Sequence, residues 1–126
     1  MELDLTDLLA QATQMLPLAH CPYSHYSVGC ALLDSNGDIF VGCNVENASF
    51  GATICAERVA MTSAIAHGSH NWLAMAIVSD GRTPFPCGIC RQFASEFVSD
   101  NFVIICRGSD GVATSTTLGQ LLPQAF

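Results

Sequence analysis

The chain has 126 residues, half of them hydrophobic and only 12% charged, which argues against disorder and fits one compact domain, residues 1–126. Its net charge is −7, and its only side-chain cations besides histidine are Arg58, Arg82, Arg91 and Arg107. So sparse a set cannot replace the counterions along a run of phosphates, which argues against nucleic acid and against an anionic membrane surface as partners.

In chain order, Leu5, Leu8, Leu9, Ala12, Met15 and Leu16 recur at helical spacing. They predict an amphipathic helix over residues 4–16, which Pro17 ends or kinks. Cys21-Pro22-Tyr23-Ser24 reads as a loop. Residues 28–33 and 39–43 are short apolar runs on either side of an Asn36-Gly37 turn signal, and read as an antiparallel hairpin. Residues 44–54 are polar and small and read as a functional loop. Residues 55–67 read as a helix that Gly68 stops. A buried strand is expected over 73–79, a loop with two prolines over 80–86, a helix over 87–98 and a strand over 102–106. The turn Gly108-Ser109-Asp110-Gly111 leads into a strand over 112–115. That connection is too short for a parallel crossover, so the last two strands should be antiparallel. Thr117 can cap a short final helix ending at Pro123. The order predicts one mixed sheet with helices on both faces.

The acidic start, with Glu2, Asp4 and Asp7, lacks the basic segment of a secretory leader. No apolar run reaches the roughly 18–20 residues that span a bilayer. Seven cysteines, an odd number, argue against a disulfide framework. A reducing compartment, the cytoplasm, is the expected location.

The strongest signal is Cys55-Ala56-Glu57 followed by Pro86-Cys87-Gly88-Ile89-Cys90. Three thiolates suit zinc, which prefers tetrahedral sulfur and nitrogen ligands. Cys55 and the Cys87/Cys90 pair both sit where helices should begin, and a helix N-terminus stabilises a thiolate. Three protein ligands leave a fourth position for water, as in catalytic rather than structural zinc sites. Three sulfurs donate much charge, and Arg58 beside the motif is expected to offset it from behind the ligands. Glu57, two residues after a ligand, does not share its helical face. It is better placed beside the water than on the metal, as a general acid/base. The bland alternatives are a redox pair at Cys87/Cys90, or a closed structural zinc with Cys21, Cys30 or Cys43 as fourth ligand.

These motifs resemble the cytidine deaminases of the short, zinc-dependent kind. Besides the two cysteine motifs, the likeness rests on Cys21-Pro22-Tyr23-Ser24, Asn44-Val45-Glu46-Asn47-Ala48-Ser49, Cys90-Arg91-Gln92 and Leu121-Leu122-Pro123 with Phe126. The resemblance implies a three-layer α/β/α sandwich with a five-stranded mixed sheet and one zinc ion per subunit. It implies hydrolytic deamination of cytidine and deoxycytidine to uridine and deoxyuridine with release of ammonia, in pyrimidine salvage. Asn44 and Glu46 would bind the ribose hydroxyls. Tyr26, where the family usually has phenylalanine, would face the pyrimidine. Ala56 and Glu57 would read the base. The resemblance also implies a homotetramer with shared active sites, to which Phe50 and Phe126 would contribute. Phe85, Ile89, Phe50 and Cys30 depart from the family's usual residues, which bears on substrate preference rather than on the zinc chemistry. The rival readings are a sister deaminase of a modified cytosine nucleoside (the blasticidin-type resistance enzymes), a polynucleotide editor, and a non-catalytic zinc-stabilised interaction domain.

Overall fold

A computed structural model describes residues 4–126; Glu2 of the acidic start lies outside them. The elements are α1 (Leu5–Thr13), a 3-10 turn (Leu16–Leu18), β1 (Val28–Asp34), β2 (Ile39–Cys43), a second 3-10 turn (Phe50–Ala52), α2 (Ala56–Ala66), β3 (Trp72–Ser79), α3 (Gly88–Ser95), β4 (Val103–Arg107), β5 (Ala113–Thr117) and α4 (Leu118–Leu121). The strands form one sheet in the order β2-β1-β3-β4-β5. Only β3 and β4 are parallel neighbours; β4 and β5 pair antiparallel, as the short connection requires.

Alternation along the strands builds two cores. On β1, Cys30 and Leu32 point into a core shared with α2, α3 and α4, while Ala31 points into the other. That second core takes Leu8, Leu9 and Ala12 of α1 against Ala74, Ala76 and Val78 of β3. Helices thus cover both faces, which gives the three layers expected from the sequence.

The topology positions the site. Both β2 and β3 run antiparallel to β1, so they are parallel to each other. Helix α2 follows β2, and helix α3 follows β3. Both helices therefore start at the same end of the sheet, where ligands gather in α/β folds.

Several boundaries differ from the sequence expectation. Helix α1 stops at Thr13, because the Thr13 hydroxyl turns back to donate to Leu9 O (2.8 Å) and Met15 N tightens onto Ala12 O (3.1 Å). Pro17 then lies inside the 3-10 turn and is not what ends the helix. Helix α3 ends at Ser95 instead of 98, where the Ser95 hydroxyl bonds Gln92 O (2.6 Å) and Phe97 N bonds Ala94 O (2.9 Å). Strands β4 and β5 each begin one residue later than expected. Helix α4 stops at Leu121, before Pro123; Thr117 and Gln120 close a capping box at its start.

Helix α2 lies directly on the backbone of β2. A Cβ added to Gly42 would sit 2.5 Å from Ala56 O and 2.6 Å from Ala60 N. Gly42→Ala must therefore push α2 off the sheet. The expected cost in urea unfolding is about 1–3 kcal/mol, with weaker zinc retention because Cys55 moves with the helix. A variant as stable as the wild type would show that α2 tolerates the shift.

Candidate metal centre and active-site cavity

Cys55 is the N-cap of α2 and Cys87 the N-cap of α3, with Cys90 one turn into α3. Neither cap side chain bonds its own helix, so both sulfurs are free to face each other. Cys55 Sγ lies 3.7 Å from Cys87 Sγ, and Cys87 Sγ lies 3.6 Å from Cys90 Sγ. Tetrahedral zinc with bonds of about 2.3 Å spaces its sulfurs by about 3.8 Å. The donor set therefore fits one zinc ion. Among the described residues, only these three bring metal-ligating atoms within 4.8 Å of one another. Cys30 is buried in the core, and Cys43 donates to Leu18 O (3.6 Å), so neither supplies the fourth ligand of a closed site. Among the described residues, which include all seven cysteines, there is no disulfide.

Arg58, one turn into α2, reaches back so that Nη2 lies 3.6 Å from Cys55 Sγ. Burial works against its charge, but hydrogen bonds to the Cys55 and Cys90 sulfurs more than offset this and hold it firmly protonated. Its Nε is buried and has no hydrogen-bond partner among the described residues. The Cys90 thiol bonds to Cys55 and, together with Arg58, pulls Cys55 down to about 5 against the effect of burial. The same contact with Cys55, and burial after it, push Cys90 up in turn. A helix N-terminus contributes about 0.3–1 kcal/mol to an anion, whereas a hydrogen bond to a charged group contributes about 1.5–3 kcal/mol. Arg58 is thus the larger stabiliser of the sulfurs. Arg91 plays a different part. Its Nε donates to Pro86 O (2.7 Å) and its Nη1 to Leu121 O (2.9 Å), tying the segment before Cys87 to the end of α4.

Glu57 is 5% exposed and lines a cavity of about 300 Å³ that also reaches Cys55 and Cys87. Burial raises its carboxyl to about 7, with the Cys55 sulfur adding to the effect. Tyr26, Asn44, Glu46 and Ala56 line the same cavity. Asn44 is already engaged: Oδ1 accepts from Val28 N (2.9 Å) and Nδ2 donates to Tyr26 O (2.8 Å). Glu46 Oε1 accepts from Tyr23 N (2.9 Å) and Ser24 N (3.1 Å), and Oε2 accepts from the Ser24 hydroxyl. These bonds, the Ser24 hydroxyl foremost, hold the Glu46 carboxyl below its usual value. His25, in the left-handed region at φ 55°, makes the turn that presents Ser24 on one side and Tyr26 on the other.

Phe50 and Phe126 do not reach the cavity within this chain. Phe50 is 83% exposed, and Phe126 is fully exposed, its backbone N–H bonded to Gln92 Oε1 (3.1 Å). The sequence reading missed Ser24, Thr53 and the Arg82–Phe85 segment as cavity lining. Ser24 stood in a stretch already noted, and residues 82–85 lead straight into the cysteine pair, so their place in the chain was the available signal.

Replacing Arg58 with alanine leaves three sulfurs without their cation. Zinc retention against a competing chelator is expected to fall about 10–100-fold. Unchanged retention would show that the helix starts suffice.

Comparison with known proteins agrees with this geometry. The family described as "Cytidine and deoxycytidylate deaminase zinc-binding region" matches residues 4–106. A probable cytidine deaminase of Dictyostelium discoideum is 46% identical over 110 residues, covering 86% of this chain and 74% of the relative. A cytidine deaminase of Sporosarcina psychrophila is 38% identical over 125 residues, covering 98% and 92%. The crystal structure of a cytidine deaminase from Burkholderia pseudomallei superposes with a TM-score of 0.92 at 38% identity, covering 98% of this chain and all of that one. The chain therefore belongs to the zinc-binding cytidine and deoxycytidylate deaminase family.

Proposed function

We propose that this chain catalyses the hydrolytic deamination of cytidine and deoxycytidine, giving uridine or deoxyuridine and ammonia. The observation that carries the reading is the meeting of three sulfurs beside one buried carboxyl, with Cys55, Cys87 and Glu57 on the wall of a single small cavity. A cavity of about 300 Å³ is at the lower end for small-molecule sites. A nucleoside suits it better than a polynucleotide, and three of the four arginines are occupied inside the fold, by Cys55, by Pro86 and Leu121, and by Thr13.

Cys55, Cys87 and Cys90 would hold the zinc. When bound, zinc is a Lewis acid that makes water acidic enough to lose a proton near neutral pH. Glu57 takes that proton and gives it to the ring nitrogen beside C4 as the water oxygen bonds to C4. It then carries the second water proton to the exocyclic nitrogen, and the C–N bond breaks to release ammonia. Glu46, held by the Ser24 hydroxyl and two backbone N–H groups, presents its remaining acceptor capacity to a sugar hydroxyl. Asn44 shapes the loop between β2 and α2 and has one amide hydrogen left to donate to a sugar hydroxyl. Tyr26 gives the base an aromatic wall. Exposed Phe50, Ile89 and Phe126 support a homotetramer in which neighbours close each cavity. A chain of one domain, residues 1–126, acting in cytoplasmic pyrimidine salvage completes the proposal.

Purified chain incubated with cytidine is expected to lose the cytidine ultraviolet band. Glu57→Gln is expected to retain zinc and lose about 10²–10⁴-fold in kcat. A wild type inactive on cytidine and deoxycytidine would favour the interaction-domain reading, and a fully active variant would remove Glu57 from the mechanism. Sedimentation velocity is expected to give four times the mass of one chain; a monomer that is fully active would overturn shared sites.

A further inference from the structure

The Tyr26 side chain lines the cavity with its ring while its hydroxyl points elsewhere. Oη donates to Arg82 O at 3.0 Å, joining segments 56 residues apart in sequence. The same carbonyl accepts from the Ser79 hydroxyl at 2.5 Å, and that hydroxyl accepts from Gly81 N at 3.2 Å. Gly81 O in turn accepts from Ser109 N at 2.8 Å. The ring packs against Gly81 so closely that an added Cβ there would lie 3.0 Å from Tyr26 Cε1. The Arg82 guanidinium carbon lies 5.9 Å from the ring centroid. A turn with no helix or strand of its own is thus fastened through one carbonyl, one glycine and one aromatic ring.

That turn matters because Arg82, Thr83, Pro84 and Phe85 form one wall of the cavity and lead into Cys87. We infer that the Tyr26 hydroxyl is a positioning group: by holding Arg82 O it fixes the wall formed by residues 82–85, and so sets how large a substituted pyrimidine the cavity admits. The inference rests on the deaminase reading above for its substrate class. A phenylalanine at this position would keep the ring against the cavity but would have no hydroxyl to make this bond. The wall is held at Arg82 O on one side and at Pro86 O, by Arg91, on the other, and Pro84 within it and Pro86 at its end carry no N–H to donate. Loss of one such bond lets the wall shift, and a shift comparable to one methyl group is enough to alter a substrate preference.

The test compares wild type, Tyr26→Phe and Ser79→Ala, each checked for one zinc per chain. Steady-state kinetics use cytidine and 5-methylcytidine, and amide hydrogen exchange follows residues 80–87 and Ser109. Tyr26→Phe keeps the ring. It is expected to raise KM for cytidine about threefold to tenfold, with a smaller change in kcat, and to narrow the preference for cytidine over 5-methylcytidine. Exchange at Gly81–Thr83 and Ser109 is expected to quicken while that of β1 and β3 does not. Ser79→Ala loosens the same carbonyl without altering a side chain of the cavity, and is expected to move KM and preference in the same direction. An active wild type with unchanged preference and exchange in both variants would overturn the inference. So would a kinetic change in Tyr26→Phe alone, since it would trace the effect to ring and substrate directly. If wild type turns over neither nucleoside, the deaminase reading fails, while unchanged exchange in Tyr26→Phe would separately overturn the positioning role.

Discussion

Three sulfurs held within contact of one another at two helix starts are the constraint around which the molecule is organised. Thiolates repel, and so close a trio needs positive charge from within the fold. The chain has few cations to offer, and it spends one of them, Arg58, on Cys55 and Cys90. The helix starts add a smaller share. Gly42 lets α2 sink onto β2 until backbone meets backbone, and Arg91 ties Pro86 to the end of α4. Each feature fixes where a sulfur sits, and none is itself a ligand.

The same geometry separates the sulfur from the carboxyl. Cys55 and Glu57 are two residues apart on the first turn of α2, so their side chains leave the helix in different directions. The sulfur turns toward α3. The carboxyl enters the cavity from a buried position above Cys30 and Cys106, whose thiols are both pushed up, by burial first and by Glu57 next. A carboxyl in such a place binds and releases a proton near neutrality more readily than one in water. Opposite it, the loops after α1, β2 and β3 bring Ser24, Glu46 and residues 82–85 to the same space.

The sequence made the metal trio and the sheet readable for a local reason. Ligand spacing, helix starts and the short final turn are all properties of adjacent residues. The parallel relation of β2 and β3, which sets both helix starts on one side, follows from strand order and needed the fold. What stayed hidden depends on contacts between distant segments. The early end of α1 rests on Thr13, which also accepts from Arg107 Nη2 at 2.8 Å, a contact across 94 residues. The two backbone bonds that hold the Asn44 amide, at Val28 N and Tyr26 O, are likewise contacts that residue type alone does not show. The exposure of Phe50 and Phe126 could not be read from residue type, because an aromatic in a loop or at a terminus is as readily buried as bare. The loop before Cys87 was recognised as a loop, while its place in the cavity wall comes with Tyr26 reaching it from the start of the neighbouring strand β1.

The central claim is that zinc is held here by three sulfurs and keeps one position for a lighter atom. X-ray absorption at the zinc edge of the purified, zinc-loaded chain measures this directly. The account predicts three sulfur neighbours at about 2.3 Å and one oxygen or nitrogen at about 2.0 Å. Four sulfur neighbours, or zinc with fewer than three, would contradict it.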